Sequence, residues 1–198
     1  MENYSLAESF RLLIKEENNF LFHLKPETFR HIRRRMIETI LATDISHHIK
    51  NFNALKTKFD SCKVTNGENL GNLIFDDNVI KTFENQQSVL SMIVHTADIS
   101  NSAKPEQISK KWHEMEFEEL FCQGDMEKQN NLPISLLCDR KTTCVYKSII
   151  GFINLAVKPA FELIIKITPE NIHYVETINE NLIKYDVIAK KEEDKEKF

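Results

Sequence analysis

Apolar residues at three- and four-residue steps dominate this chain, and that spacing restricts it to amphipathic helices. Phe29, Ile32, Met36, Ile37, Ile40, Leu41, Ile45, Ile49 and Phe52 share one helical face. Pro26 stands where a first turn tolerates it, so one long helix is predicted over roughly residues 26–57. Polar residues with Gly67 and Gly71 interrupt the pattern, which reads as a loop from Asn66 to Asp77. It resumes at Val79, Ile80, Phe83, Val89, Leu90, Ile93, Val94 and Ala97. Further helices are predicted from Pro105, carrying Ile108, Trp112, Met115 and Phe121, and from Asp139 as N-cap, carrying Val145, Ile149, Phe152, Ile153 and Ala156. Pro159 should kink or end the latter. Thr168 and Pro169 open a last helix with Ile172, Val175, Ile178, Leu182 and Ile183 on one face. With 4 glycines and 5 prolines in 198 residues, little material remains for hairpins or phosphate-binding glycine loops, and the fold class expected is all-α.

Apolar residues run along nearly the whole length, so a single domain over 1–189 is expected, without internal repeat or linker. The stretch 190–198 mixes both charges with almost nothing apolar and reads as a frayed tail. A net charge of −4 provides no basic footprint for a nucleic-acid backbone, so nucleic acid is not expected as a partner. Cys62, Cys122, Cys138 and Cys144 show no CxxC spacing, and no signal peptide or membrane-length apolar run is present. Free thiols in a reduced, cytoplasmic compartment are the expectation.

Few residues announce chemistry by themselves. Asp98 closes an apolar helix, where a carboxylate either caps nearby amides or meets a cation. His95 and Asn101, three residues to either side, share its face if the helix persists. His47 and His48 are adjacent and diverge by about 100°, so they are poorly placed to hold one ion together. Phe152 lies one turn after Ile149, as plain helix packing also produces. A lone Trp112 on a helix is more often core, and Gln123-Gly124-Asp125 reads as a helix C-cap.

The order of motifs adds more. His95-Thr96-Ala97-Asp98-Ile99-Ser100-Asn101, Trp112, Gln123-Gly124-Asp125, Cys138-Asp139 and Lys147-Ser148 with Gly151-Phe152 together resemble the C-terminal portion of a class I 3',5'-cyclic nucleotide phosphodiesterase catalytic domain. Met1-Glu2-Asn3 is similar to the family's Leu-Glu-Asn-His-His, and Leu41-Ala42-Thr43-Asp44-Ile45-Ser46 to its Ala-Thr-Asp-Met-Ser. The similarity starts at Met1, so the sequence is expected to begin inside the domain, without the N-terminal metal-binding helices. It implies a helical bundle that hydrolyses cyclic AMP or cyclic GMP to the 5'-monophosphate using two divalent ions, zinc plus magnesium or manganese.

By that resemblance Asp98 is a metal ligand, and Asn101, Ile99, Leu137, Ile149 and Phe152 line the nucleotide. His95, Thr43, Ile45 and Trp112 support or line the pocket, core packing being an equal alternative for Thr43 and Ile45. Ile149 replaces the family's purine-binding glutamine, which forfeits hydrogen bonds of roughly 1–3 kcal/mol. The His-Asn-x-x-His and His-Asp motifs and the histidine that would protonate the leaving oxygen do not occur in the 198 residues. Two readings stand: part of a larger phosphodiesterase, inactive alone, or a non-catalytic phosphodiesterase-like interaction module. In either, apolar helix faces are expected to meet a further N-terminal segment or a second copy.

Overall fold

The computed structural model describes residues 1–66 and 83–196, and every regular element among them is helical. The predicted loop up to Asp77 lies outside the described residues apart from Asn66, as do Val79, Ile80 and the last two residues of the tail. Backbone contacts divide the chain into two units, Met1–Asp98 and Ile99–Phe198.

In the first unit, α1 (Glu2–Leu13) packs on α2 (Pro26–Leu41), and α4 (Phe83–Asp98) packs on both α2 and α3 (His48–Asn66). Leu6, Leu13, Leu55, Phe59 and Met92 are buried. The single helix predicted over 26–57 is interrupted. Asp44 adopts ψ 115 and its carboxylate accepts from the Ser46 amide at 2.9 Å, opening a 3-10 turn over Ile45–His47. A short acidic side chain offers the backbone an alternative to the helical ladder, and here the alternative wins. At and beyond the break Ile45 and Ile49 are 50% and 51% exposed, so the apolar spacing across it does not mark one covered face.

The second unit begins with a 3-10 turn, Ser100–Ala103, followed by α5 (Glu106–Gln129), α6 (Val145–Phe152), α7 (Lys158–Ile164) and α8 (Ile172–Glu196). Its core joins Phe117, Ile149, Ile153, Val157, Phe161, Val175, Ile178 and Tyr185. A π-helical segment, Ile153–Val157, links α6 to α7. Pro159 lacks an amide hydrogen and its ring crowds the carbonyl four residues back, and the widened turn just before it lets the helix continue. The last helix runs through Lys190 to Glu196.

Four further expectations are corrected. Asp139 does not begin α6: its carboxylate accepts from the Lys141 amide at 2.9 Å, and helix starts only at Val145. Gly124 is no C-cap but sits inside α5, buried. On α5 the covered face is Ser109, His113, Phe117 and Gly124, while Ile108, Trp112 and Met115 are exposed, so Trp112, at 54%, is not core. Ile172 and Ile183 likewise face outward on α8, whose buried line is Val175, Ile178, Asn181 and Tyr185.

Arg140 holds the segment after α5 against that helix. Its guanidinium donates to both Glu118 oxygens, at 2.8 and 2.6 Å, and to Asp125 at 2.9 Å, and it stacks over Phe121 at 5.1 Å. The Arg140 hydrogen bonds hold the Glu118 carboxyl down at about 2. A carboxyl depressed in the folded state adds stability that is complete above its ordinary value near 4.5 and is lost as pH falls toward 2. Arg140→Ala should therefore flatten the pH dependence of the denaturant midpoint between those values and remove its salt sensitivity. Parallel wild-type and mutant profiles would show that this ion pair contributes nothing.

Candidate functional site

Asp98 is the last residue of α4 and is exposed. One turn earlier, His95 is 2% exposed, and its Nε2 lies 2.8 Å from Nδ1 of His48, itself 3% exposed. Burial lowers both imidazoles from their ordinary range, and for His48 the neighbouring His95 acts the same way. The Thr43 backbone and the Asp98 carboxylate oppose this at His95. With neutral rings, one nitrogen of the close pair donates and the other accepts. His95 Nδ1 and His48 Nε2 remain without a hydrogen bond of ordinary geometry. His47 is exposed while His48 is buried, as adjacent helical positions require.

Thr43 is half-buried, and its hydroxyl is spent on the Ile40 carbonyl at 2.8 Å. Ile45 is 50% exposed, which excludes core packing for it. Among the described residues, no three His, Cys, Asp or Glu side chains stand together as a metal site. Asp98 is thus one carboxylate without companions, and the residues present do not complete a divalent-ion site.

In the second unit the turn that follows Asp98 is fastened by polar groups. Asn181, 1% exposed, donates to the Ser102 and Lys104 carbonyls at 3.0 and 2.8 Å. Ser102 Oγ lies 3.1 Å from His113 Nε2, whose Nδ1 is 3.3 Å from Glu116. The same Glu116 oxygen accepts from the Asn101 amide at 3.4 Å, while Asn101 Oδ1 accepts from the Ser102 amide at 2.8 Å. Tyr185 stands edge-on to His113 and donates to Ser109 at 2.8 Å. Asn101 therefore turns its NH2 toward Glu116 and has its oxygen already engaged. Sequence reading missed His113, Glu116 and Asn181. The i,i+3 spacing of His113 and Glu116 was visible, but nothing marked Asn181 as a clamp on a turn 79 residues away.

Ile99 and Phe152 pack partly buried on the core of the second unit. Leu137 is 38% exposed at φ 69, a left-handed conformation that side chains rarely adopt, on the segment Arg140 holds. Ile149 is 3% exposed and belongs to the core itself.

The sequence profile of the 3',5'-cyclic nucleotide phosphodiesterase family matches residues 1–178. Rat 3',5'-cyclic-AMP phosphodiesterase 4C is 38% identical over 162 residues, which is 82% of this chain and 29% of that protein. The Drosophila melanogaster dual specificity calcium/calmodulin-dependent 3',5'-cyclic nucleotide phosphodiesterase 1 is 36% identical over 160 residues, or 81% of this chain and 17% of that one. The crystal structure of the phosphodiesterase domain of Salpingoeca rosetta rhodopsin phosphodiesterase superposes with a TM-score of 0.83 at 26% identity, covering 99% of this chain and 56% of that one. The chain thus spans under a third of these curated relatives and little more than half of that solved domain. A match over residues 1–178 that crosses both units, with helical architecture to suit, settles the membership: the chain belongs to the 3',5'-cyclic nucleotide phosphodiesterase family of hydrolases.

Proposed function

We propose that this chain serves as part of a larger catalytic domain hydrolysing 3',5'-cyclic nucleotides, cyclic AMP, cyclic GMP or both, to 5'-monophosphates in signal transduction. The observation that carries it is the α4 terminus, where buried His95 backs exposed Asp98 and the next turn is tied down by Asn181 and His113. In this reading Asp98 supplies one carboxylate ligand to a zinc ion that works beside magnesium or manganese. Bound there, such ions would supply Lewis acidity and charge neutralisation. The chain's own residues do the rest: Asn101 offers an amide donor to the nucleotide, and Ile99, Leu137 and Phe152 wall the base. Thr43, Ile45 and Trp112 are assigned to the surroundings of that pocket. The remaining metal ligands and the general acid come from residues outside these 198, and so does the cover for exposed apolar helix faces, from further chain or from a second copy. A cytoplasmic setting accords with the exposed free Cys122 and with the lack of a membrane-length apolar helix among the described residues.

The test is to map the 5' end of the transcript and read the frame upstream for His-Asn-x-x-His and His-Asp. Their presence, with turnover by the longer product that Asp98→Ala abolishes, is the expected result. A message that begins at Met1 sinks it in favour of a non-catalytic interaction module.

The burial of Ile149 favours that second reading enough to warrant its own experiment. A glutamine there would place an amide in the core, at a cost of about 1–3 kcal/mol. Ile149→Gln is expected to lower the thermal midpoint by several degrees and to confer no affinity for 5'-AMP or 5'-GMP. Tighter nucleotide binding at an unchanged midpoint would instead place residue 149 in an open base slot.

A further inference from the structure

The start of α3 meets the end of α4 through two buried imidazoles, His48 and His95, with 2.8 Å between His48 Nδ1 and His95 Nε2 and 5.1 Å between ring centroids. We propose that this pair is a proton-operated latch: neutral, it fastens the turn 43–47 and the first turn of α3 to α4, and charged, it releases them. The assignment goes beyond the nucleotide reading and does not depend on it.

The hydrogen bonds decide which nitrogen carries each proton. The Thr43 backbone favours a proton on His95, and because Nε2 of that ring already faces His48, the proton belongs to Nδ1. A neutral ring has one N–H, so His95 Nε2 accepts and His48 Nδ1 donates. His48 Nε2 is then a bare lone pair, buried and without a partner. Water does not reach that atom in the closed fold, so a proton arrives there when the fold opens.

Charge on the pair is poorly compensated. Two charged rings would point N–H donors at each other across 2.8 Å, and neither could accept. A single charge on His48 would stand at the N-terminus of α3, the positive end of the helix dipole, with the Phe52 ring stacked beside it at 5.9 Å. The carboxylates of the neighbouring elements are engaged or turned away. On α2, Glu38 pairs with Arg34, and in the turn Asp44 accepts from the Ser46 amide and feels the charges of His47 and the Met1 amine. On α4, Asp98 is exposed and acts on His95, while Glu84 lies three turns before His95, about 16 Å along the helix. The cations nearest in sequence, His47 when protonated and Lys50, are exposed and add repulsion.

Burial lowers both imidazoles, and a histidine lowered in the folded state takes up its proton on opening. Stability from the pair is therefore complete above about pH 6.5 and declines as pH falls below it. One proton taken up raises the opening constant by up to about tenfold per pH unit, and two by up to about a hundredfold.

The test follows imidazole and backbone amide signals of the full chain by NMR from about pH 7.5 to about pH 4.5. With the exposed His23, His47 and His173 as references, His48 and His95 are expected to stay neutral after those three have titrated. They should then change together, at one midpoint, with the amides of residues 43–50 and 92–98. Urea midpoints measured in parallel read the stability. The double variant His48→Asn, His95→Gln puts an amide near each lost nitrogen and removes both protonation sites, so it should lose up to about a hundredfold per pH unit of the wild-type acid sensitivity below pH 6.5. Should that variant not fold, the wild-type titration decides alone. Rings that titrate with the references, at separate midpoints, or without moving those amides would overturn the proposal. So would rings still neutral at about pH 4.5, or a folded double variant as acid-sensitive as wild type.

Discussion

Incubated with cyclic AMP or cyclic GMP and with zinc, magnesium or manganese, the purified 198-residue chain is expected to show no turnover above the buffer blank. Asp98 stands alone: no second and third ligand join it among the described residues, and one exposed carboxylate binds a divalent ion too weakly to hold it against water. No family-type acid histidine occurs in the sequence either, and the loss of a positioned general acid alone typically removes a factor of about 10²–10⁴. Loss of metal-held nucleophile and charge neutralisation multiplies that deficit, so the product falls below what a 5'-monophosphate assay resolves. Turnover by this chain that Asp98→Ala abolishes would mean that the 198 residues assemble a complete site, which contradicts the need for further residues in the proposed function.

Much of the helical order was legible because amphipathic spacing is a local property. Pro26 and Pro105 marked helix starts that the structure places at or within one residue of them, while Pro169 opens a 3-10 turn, Pro169–Asn171, that leads into α8 at Ile172. What spacing could not reveal is which face a tertiary neighbour covers. On α5 the eye goes to Ile108, Trp112 and Met115, yet the helix buries Ser109 and His113, because Tyr185 and Ser102 satisfy their polar atoms. The same inversion occurs on α4, where Leu90 and Ile93 are partly exposed while Gln87, on Thr39, and His95, on His48, are buried. Hydropathy assigns such polar residues to solvent, and only partners distant in sequence reverse the assignment.

The candidate site divides along the same line. Asp98 and Asn101 could be singled out because their motif is contiguous, and the structure adds how each is held. The His48–His95 pair could not be seen, since its members are 47 residues apart and a lone histidine carries no mark of its partner. Ile149 was legible as a departure from the glutamine of the family motif, but its depth in the core was not. A β-branched residue 3% exposed between Phe117 and Ile153 is a packing element, so the substitution removes a hydrogen-bonding group and fills its place with hydrocarbon.

Gly124→Ala is expected to be among the most destabilising single changes available in the second unit. A β-carbon built there would lie 2.0 Å from the Cys138 carbonyl oxygen and 2.7 Å from its carbonyl carbon, both backbone atoms that cannot rotate away. The segment bearing Cys138 is itself fixed, by Arg140 on Glu118 and Asp125 and by Ser135 on Glu127. Relief therefore requires separating α5 from that segment, which exposes Cys138, now 2% exposed, and strains Leu137 at φ 69. Overpacking of this kind costs about 3 kcal/mol or more, on the order of a 10 °C drop in thermal midpoint for a chain of this length. Gly151→Ala is the internal control, because no atom lies within 4 Å of the added carbon and α6 there is helical. Removing glycine's backbone freedom should raise stability by about 0.5–1 kcal/mol. Calorimetry of the two variants beside wild type should thus move in opposite directions. Equal midpoints would mean that the segment after α5 is free to lift from Gly124, and that Arg140 does not hold it.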